Sequence, residues 1–475
     1  MSKSAEAAHG ELVKIYAKDP VLFCKEILGV ELWDKQKEII NSIRDNSYTA
    51  VASGHGVGKT FVSACATLWF LFCHANSRVI TTAPTMRQVK SLLWAEIGHL
   101  YNRADEEHGL GGRLLSTALN LSEKQFAMGI ATDDPDRFVG QHADHLLLVM
   151  DEAPGIEPSI IEAAHGILTN ANAKCLMIGN PTSPAGPFFE AFKSPLWKSF
   201  HISCYDSPAI KDPAKYPGLT SLKWIEERKQ AWGENSPIFI SRVLGQFPQE
   251  GNDTLIPLSW VQRAVIRWQE GKDICKQSDR VFLGLDVARY GDNKTVLTNY
   301  VPNRVMYLKK HDRKDTMKAV NLVVEAGVSS GMKLTSVATD DTGVGGGVTD
   351  RLRELGYPVL AVNFSNQAFD REHFKSVRDE MYWIMREMFR ADEIAIPDDG
   401  ALISQLSSIK YKIRDNNKKI EIEGKAEITK RGLKSPDESD SVALAIYASK
   451  RMNASSSARK RGNPYRHRNT DTVYY

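Results

Sequence analysis

One stretch, VASGHGVGKTF at residues 51–61, constrains this chain more than any other. The apolar run YTAVAS leads into it and a long apolar run from Phe61 leads out. A strand that breaks into glycines and re-enters as a helix aims successive backbone N–H groups and a helix N-terminus at one anion. The pattern G-x-x-x-x-G-K-[ST] is met at Gly58, Lys59 and Thr60, with Ser53 where its first glycine would stand. Gly54, Gly56 and Gly58 keep the backbone permissive. The loop formed by Ser53, Gly54, His55, Gly56, Val57, Gly58, Lys59 and Thr60 is therefore expected to cradle ATP. Lys59 would neutralise the β- and γ-phosphates, and the Thr60 hydroxyl would hold Mg²⁺. The bland alternative is a glycine turn before a core helix.

A second feature favours the nucleotide. HLLLVMDEAP (residues 145–154) is an apolar run ending in two acids, as a fully buried parallel strand that delivers carboxylates to the sheet edge would read. Asp151 would order Mg²⁺ and Glu152 would polarise the attacking water. RVITTAPTMRQV and KCLMIGNPTSP end in the same way, turning at prolines.

At 475 residues the chain is too long for one core, and two large domains are expected. Lys plus Arg number 61 against 58 for Asp plus Glu, so net charge announces no nucleic-acid partner, although basic surfaces are often local. Six cysteines without a C-x-x-C pair, and no apolar leader, point to a reducing compartment rather than secretion. The most apolar segment, SACATLWFLFCHA, falls short of the roughly 20 residues a membrane span needs.

After GQFPQEGNDTLIP the composition turns loop-like, and a new strand pattern starts near Arg280. The expected domains are 1–250 with an N-terminal helical segment, a linker at 251–278, a second domain at 279–450 and a basic, disordered tail at 451–475. RVFLGLDVARYGDNKTVLTNYV reads as a hairpin whose first strand carries Asp286. TSVATDDTGVGGG supplies Asp340 and Asp341, and SPDESDSVALAIYASK opens a helix with Asp437 and Asp440 on one face. Two Mg²⁺ or Mn²⁺ ions at a phosphodiester need such a convergence of carboxylates. Asp286 would bridge the ions, Asp341 or Asp340 would bind one, and Asp437 with Asp440 the other. Each acid taken singly is an ordinary turn or cap residue. SSIKYKIRDNNKKIEIEG reads as a hairpin with a basic face, where Lys410, Lys412, Arg414 and Lys418 are candidates for phosphate contacts, or simply a solvated edge.

The set SGHGVGKT, TTAPT, LLLVMDEA and MIGNPTSPAG resembles the packaging ATPase of tailed-bacteriophage terminase large subunits, which are relatives of the helicase-type ATPases. The acids of the second half, in their order, resemble that family's ribonuclease H-like nuclease domain, as does the amphipathic segment HFKSVRDEMYWIMREMF. The resemblance implies an α/β chain: a P-loop (helicase-like ASCE) ATPase domain with a mostly parallel sheet, then a ribonuclease H-like mixed-sheet nuclease domain. It implies that Gln36 contacts adenine, that Gly179, Asn180 and Pro181 form a coupling segment, and that Asp341 is the acid before the glycine turn. The family's phosphate loop often carries an arginine, where this chain has His55; Arg137 is a candidate for reaching a neighbouring subunit's nucleotide, and a surface arginine paired with a nearby aspartate explains it as well. Implied partners are double-stranded DNA, a small terminase subunit, a portal and procapsid, and four further copies in a five-membered ring, in the cytoplasm of an infected bacterium and without a membrane. The competing readings are a cellular DNA translocase or helicase with a fused nuclease, which needs a second motor domain, a resolvase-type nuclease, which leaves the first half unexplained, and a nucleotide-switched scaffold.

Overall fold

The computed structural model describes residues 3–131, 135–138, 140–249, 253–271, 280–287, 294–311, 316–329, 333–341, 345–414 and 418–460. The chain divides into two compact units: Met1–Asn252 with Pro257–Gln262, and Asp253–Ile256 with Arg263–Tyr475.

The first unit opens with the helices Lys3–Lys18, Pro20–Glu26 and Asp34–Asp45. Its sheet is built from β1 (Tyr48–Ser53), β2 (Ser77–Thr82), β3 (Arg113–Leu115), β4 (Ala118–Asn120), β5 (Phe126–Ile130), β6 (His145–Asp151), β7 (Ala173–Gly179) and β8 (Lys198–Ile202). The strand order is β3-β4-β5-β2-β6-β7-β1-β8. From β5 to β8 every pairing is parallel, and only β4, antiparallel to both β3 and β5, runs the other way near one edge. Strands covered on both faces carry continuous apolar runs instead of alternation, which is why β6 reads LLLVM with every one of those residues buried. Because β1, β6 and β7 are parallel, Ser53, Asp151 and Gly179 leave the sheet at the same edge. The helix Lys59–Cys73 that follows β1 is buried nearly all round, which accounts for the apolar segment too short to span a membrane. No described helix is long and apolar enough to cross one.

The second unit has a five-stranded sheet in the order β11-β10-β9-β12-β13, from β9 (Arg280–Asp286), β10 (Thr295–Val301), β11 (Arg304–His311), β12 (Lys333–Asp340) and β13 (Val359–Val362). The first three are antiparallel neighbours, whereas β12 and β13 join in parallel. This mixed sheet is the ribonuclease H-like order. Among the described residues it stands where a second motor sheet would be needed for the helicase reading. A small hairpin, β14 (Tyr411–Ile413) with β15 (Ile420–Ile422), lies outside it.

Three boundaries differ from the sequence expectation. Leu258–Glu270, inside the expected linker, is a helix: Leu258, Val261, Ala264 and Val265 recur at helical spacing and are buried. The amphipathic helix begins at Val377, because Ser376 and Asp379 form a reciprocal capping box there. The last helix, Asp437–Lys460, runs past 450, and of the expected tail residues 461–475 lie outside the described ones.

Candidate active sites

In the first unit the glycine loop is held from behind. The Gly54 N–H donates to the Ile202 carbonyl at 2.9 Å and that of His55 to the Arg242 carbonyl at 2.7 Å. A Cβ on Gly54 would strike Cys204 Sγ, and one on Gly58, whose φ is +82°, would strike Gln36 Nε2. The loop therefore accepts only glycine at both points. Gln36 is buried and locks the turn: its Nε2 donates to the Gly58 carbonyl at 3.2 Å and its Oε1 accepts the Trp33 N–H at 3.3 Å.

Lys59 Nζ donates to the Gly54 carbonyl at 3.2 Å and to Asn180 Oδ1 at 3.4 Å, and lies 3.9 Å from Glu152 Oε1. Asn180 in turn donates to the Ser53 carbonyl at 2.5 Å, so the residue after β7 touches both the loop and its lysine. Thr60 Oγ1 donates to Asp151 Oδ2 at 3.3 Å. Glu152 sits in the left-handed region at φ 49°, a conformation that costs a non-glycine residue about 1–2 kcal/mol; its N–H donates to Asp151 Oδ1. Burial and the charge of Glu152 push Asp151 up to about 7, against the pull of Lys59. A cation beside Thr60 and Asp151 would offset that cost, and a polyanion on Lys59 and the loop N–H groups would replace Lys59's present neutral partners. The donor set thus fits a metal–nucleoside triphosphate.

His55 is no substitute for an arginine's charge. Burial, with Arg242 and Lys59 nearby, holds its imidazole well below the ordinary histidine range. Arg137 lies exposed in the 3₁₀ turn Pro135–Phe138.

In the second unit a glycine sets the approach of the last helix. A Cβ on Gly284 of β9 would collide with the Ser441 carbonyl and with Ala445, so Asp437–Lys460 rests directly on β9. Ser441 Oγ donates to the Gly284 carbonyl at 2.9 Å. Asp286, two residues along the same strand face, meets Asp437 and Asp440 from one helical face. The pairing of Thr339 with Leu285 brings Asp340 alongside Asp286, and Asp340 is one of the charges acting on Asp286. Asp341 follows the strand end: it is half-buried, and its N–H donates to the Val362 carbonyl at 2.9 Å.

The ammonium of Lys425 occupies the meeting point. It lies 2.8 Å from Asp440 Oδ2, 3.3 Å from Asp286 Oδ2 and 3.7 Å from Asp437 Oδ1. Burial pushes Asp286 up to about 8, opposed by Lys425 and reinforced by Asp440 and Asp437; Asp437 is raised by burial as well. Burial works in the same direction on Asp440, but Lys425 and Arg378 more than offset it and hold the carboxyl below its ordinary range. Tyr382 Oη donates to Asp440 Oδ1 at 2.5 Å, and the buried Arg378 lies 3.8 Å from the same oxygen. Among the described residues no three acid, histidine or cysteine side chains are already drawn together as a metal cage. Instead the carboxylates surround a side-chain cation, a donor set that suits hard divalent ions.

Sequence reasoning missed Lys425, Tyr382 and Arg378. Tyr382 and Arg378 lie in the amphipathic helix, where a buried polar tip looks like core. Lys425 stands in GKAEITK, which has no motif at all.

A mostly parallel sheet with a phosphate loop, followed by a mixed sheet with gathered carboxylates, defines a two-domain α/β class of chain. No family model matches it. A curated relative, the "Probable terminase, large subunit" of Enterobacteria phage P7, is 24% identical over 473 residues, covering 92% of each chain. Similar solved structures include the large terminase ATPase domain of Thermus phage P74-26 (19% identity, 47% of this chain and 96% of that one, TM-score 0.38). Another is the nuclease domain of the large terminase subunit gp2 of bacterial virus Sf6 (17% identity, 41% and 98%, TM-score 0.34). The sequence similarity to that phage terminase large subunit runs nearly end to end.

Proposed function

We propose that this chain hydrolyses ATP to drive double-stranded DNA into a procapsid, and that its second unit cuts concatemeric DNA with Mg²⁺ or Mn²⁺. In the first unit Lys59 and the loop amides would bind the phosphates, Thr60 and Asp151 would hold Mg²⁺, and Glu152 would polarise the attacking water. Asn180 touches both Ser53 and Lys59, which suits a residue that senses the γ-phosphate and passes the change to β7. Gln36, already bonded to the loop, is the candidate adenine contact, and Arg137 the candidate for reaching a neighbour's nucleotide.

In the second unit Asp286, Asp340, Asp437 and Asp440 would hold the metal ions, with Asp341 as the outer alternative. The ions supply charge neutralisation at the scissile phosphate and a nucleophile at neutral pH. The residues supply orientation: Tyr382 and Arg378 fix Asp440, and the close seat of the helix on Gly284 fixes Asp437. The partners that go with this reading are a small terminase subunit, a portal and a five-membered ring, acting in the bacterial cytoplasm.

The observation that carries the reading is the convergence of Asp286, Asp437 and Asp440 on Lys425 in a chain that also pairs Lys59 and Thr60 with Glu152 and Asp151. The test is plasmid linearisation by the intact chain with Mn²⁺, beside Asp286→Asn and beside EDTA. Cutting that needs both the metal and Asp286, from a chain that hydrolyses ATP, is the expected result. A folded ATPase that never cuts would remove the nuclease half.

A further inference from the structure

Lys412 stands directly across the β14–β15 hairpin from Glu421. Its Nζ lies 3.7 Å from Glu421 Oε2. Arg414 makes a two-pronged contact with the same carboxylate, Nε to Oε2 at 2.6 Å and Nη2 to Oε1 at 3.0 Å. Lys375, from the segment before the helix Val377–Arg390, donates to Oε1 at 2.8 Å. Three cations thus share one anion. Arg414's fork alone would satisfy a carboxylate, so the cluster carries a surplus of two positive charges. The cations are open to solvent, with Lys412 60% and Lys375 53% exposed, whereas Glu421 is only 17% exposed beneath them. Arg414, Lys375 and Lys412 together hold its carboxyl down to about 2. Lys410, on the same hairpin face, is separately paired with Asp253 at 2.8 Å.

The cluster adjoins the carboxylate site. Lys425 stands four positions after Glu421, a reach of at most about 14 Å, well inside one turn of duplex (~34 Å). Between them the Glu423 carbonyl accepts from Arg378 Nη1 at 2.8 Å, the arginine that also lies against Asp440. A segment in which β15 gathers the cations and the next helix, Lys425–Lys430, opens with Lys425 among the acids is anchored to the place where a scissile phosphate would lie.

We propose that Lys375, Lys412 and Arg414 form the surface that receives the phosphodiester backbone of duplex DNA at the nuclease, and that Glu421 holds these cations where a phosphate would sit until DNA arrives. The inference rests on the nuclease reading given above. The chemistry is a polyanion replacing a single carboxylate: the lysines exchange to phosphate oxygens, and Arg414 is shared between Glu421 and the strand.

The test is binding of a short duplex by the full chain in EDTA, which stops cutting, over a series of salt concentrations. Each phosphate contact adds about 0.9 to the slope of log affinity against log salt. Lys375→Gln with Lys412→Gln should lower the slope by about 1.8, and Lys412→Gln alone, which leaves the Arg414–Glu421 pair intact, by about 0.9. Glu421→Gln should tighten binding about two- to fivefold, the range for releasing one competing surface ion pair. Unchanged slopes in folded variants would overturn the proposal and make the cluster a staple of the hairpin. Plasmid cleavage by the unmodified chain separates the two readings: unchanged slopes with cleavage intact sink the surface alone, whereas lowered slopes without cleavage sink the nuclease and leave a DNA grip.

Discussion

Lys425 Nζ lies 2.8 Å from Asp440 Oδ2 and within 3.7 Å of two further aspartates, so a side-chain ammonium sits where the proposed metal ions would bind. The arrangement resolves a conflict that burial would otherwise create. Asp437 and Asp440 stand on one turn of a helix pressed onto β9 beside Asp286. Without a cation among them, mutual repulsion and desolvation would force protons onto the group. Lys425, whose own ionised form the three acids favour strongly against burial, holds Asp440 below its ordinary range and opposes the rise that burial imposes on Asp286 and Asp437.

Replacing that ammonium should therefore cut stability and raise metal dependence together. Lys425→Met leaves an uncompensated buried carboxylate cluster, for which a loss of about 3 kcal/mol is the expected scale. Added Mn²⁺ should recover more stability in the variant than in the unmodified chain, because no ammonium competes for the oxygens. Thermal unfolding with and without Mn²⁺ checks this. An equal metal-induced shift in both proteins would show that Lys425 does not share the site.

The seat of the helix on Gly284 gives a second expectation. A methyl group there must push into the Ser441 carbonyl and Ala445, and overpacking of this kind costs about 1–3 kcal/mol. Gly284→Ala should lift Asp437 and Asp440 away from Asp286 and reduce plasmid cleavage at least about tenfold, given the sensitivity of reacting groups to ångström shifts. ATP turnover, which belongs to the other unit, should be unaffected. Retained cleavage with a retained melting temperature would mean that the helix has slack.

What the sequence disclosed and what it hid follow one physical line. Glycine loops, apolar strands ending in acids and strand–turn–strand patterns are local, so β1 with Lys59 and Thr60, β6 with Asp151 and Glu152, and β9 with Asp286 could all be read directly. The reading of Asp341 came from its neighbours in sequence, while sheet register, which no local pattern contains, sets Asp340 beside Asp286. The same applies to Lys425 and Tyr382, which reach Asp440 only through tertiary packing. The basic hairpin left phosphate contacts and a solvated edge equally open because a run of charges fits both; that Glu421 and Asp253 already hold Lys412, Arg414 and Lys410 is a fact of pairing.

Glu152 separates chemistry from binding in the first unit. Lys59 keeps the Gly54 carbonyl and Asn180 as partners when the glutamate is made neutral. Glu152→Gln should therefore bind ATP with near-normal affinity while turnover falls about 10²- to 10⁴-fold, the usual scale for losing a general base. Lys59→Ala should lose nucleotide affinity itself. Steady-state turnover beside the affinity for a fluorescent ATP analogue distinguishes the two. Near-normal turnover in Glu152→Gln would pass the base role to another residue.

His74 should make the first unit acid-sensitive. Its ring stacks on Phe70 at 4.4 Å, lies edge-on to Trp69 and is 5.1 Å from His145. Burial, aided by His145 and Lys174 and opposed by the Phe70 carbonyl, brings it from 6.5 down to about 4. A histidine whose folded value is depressed stabilises the fold fully above its unfolded value and loses that contribution as pH falls through the folded one. The affected window is thus pH 6.5 down to about 4, and midway through it the loss should be about 2 kcal/mol. His74→Phe keeps an aromatic ring against Phe70 and removes the titration. Urea unfolding across the window should show the unmodified chain weakening relative to His74→Phe as acid is added, and parallel curves for the two proteins would assign the acid sensitivity to other groups.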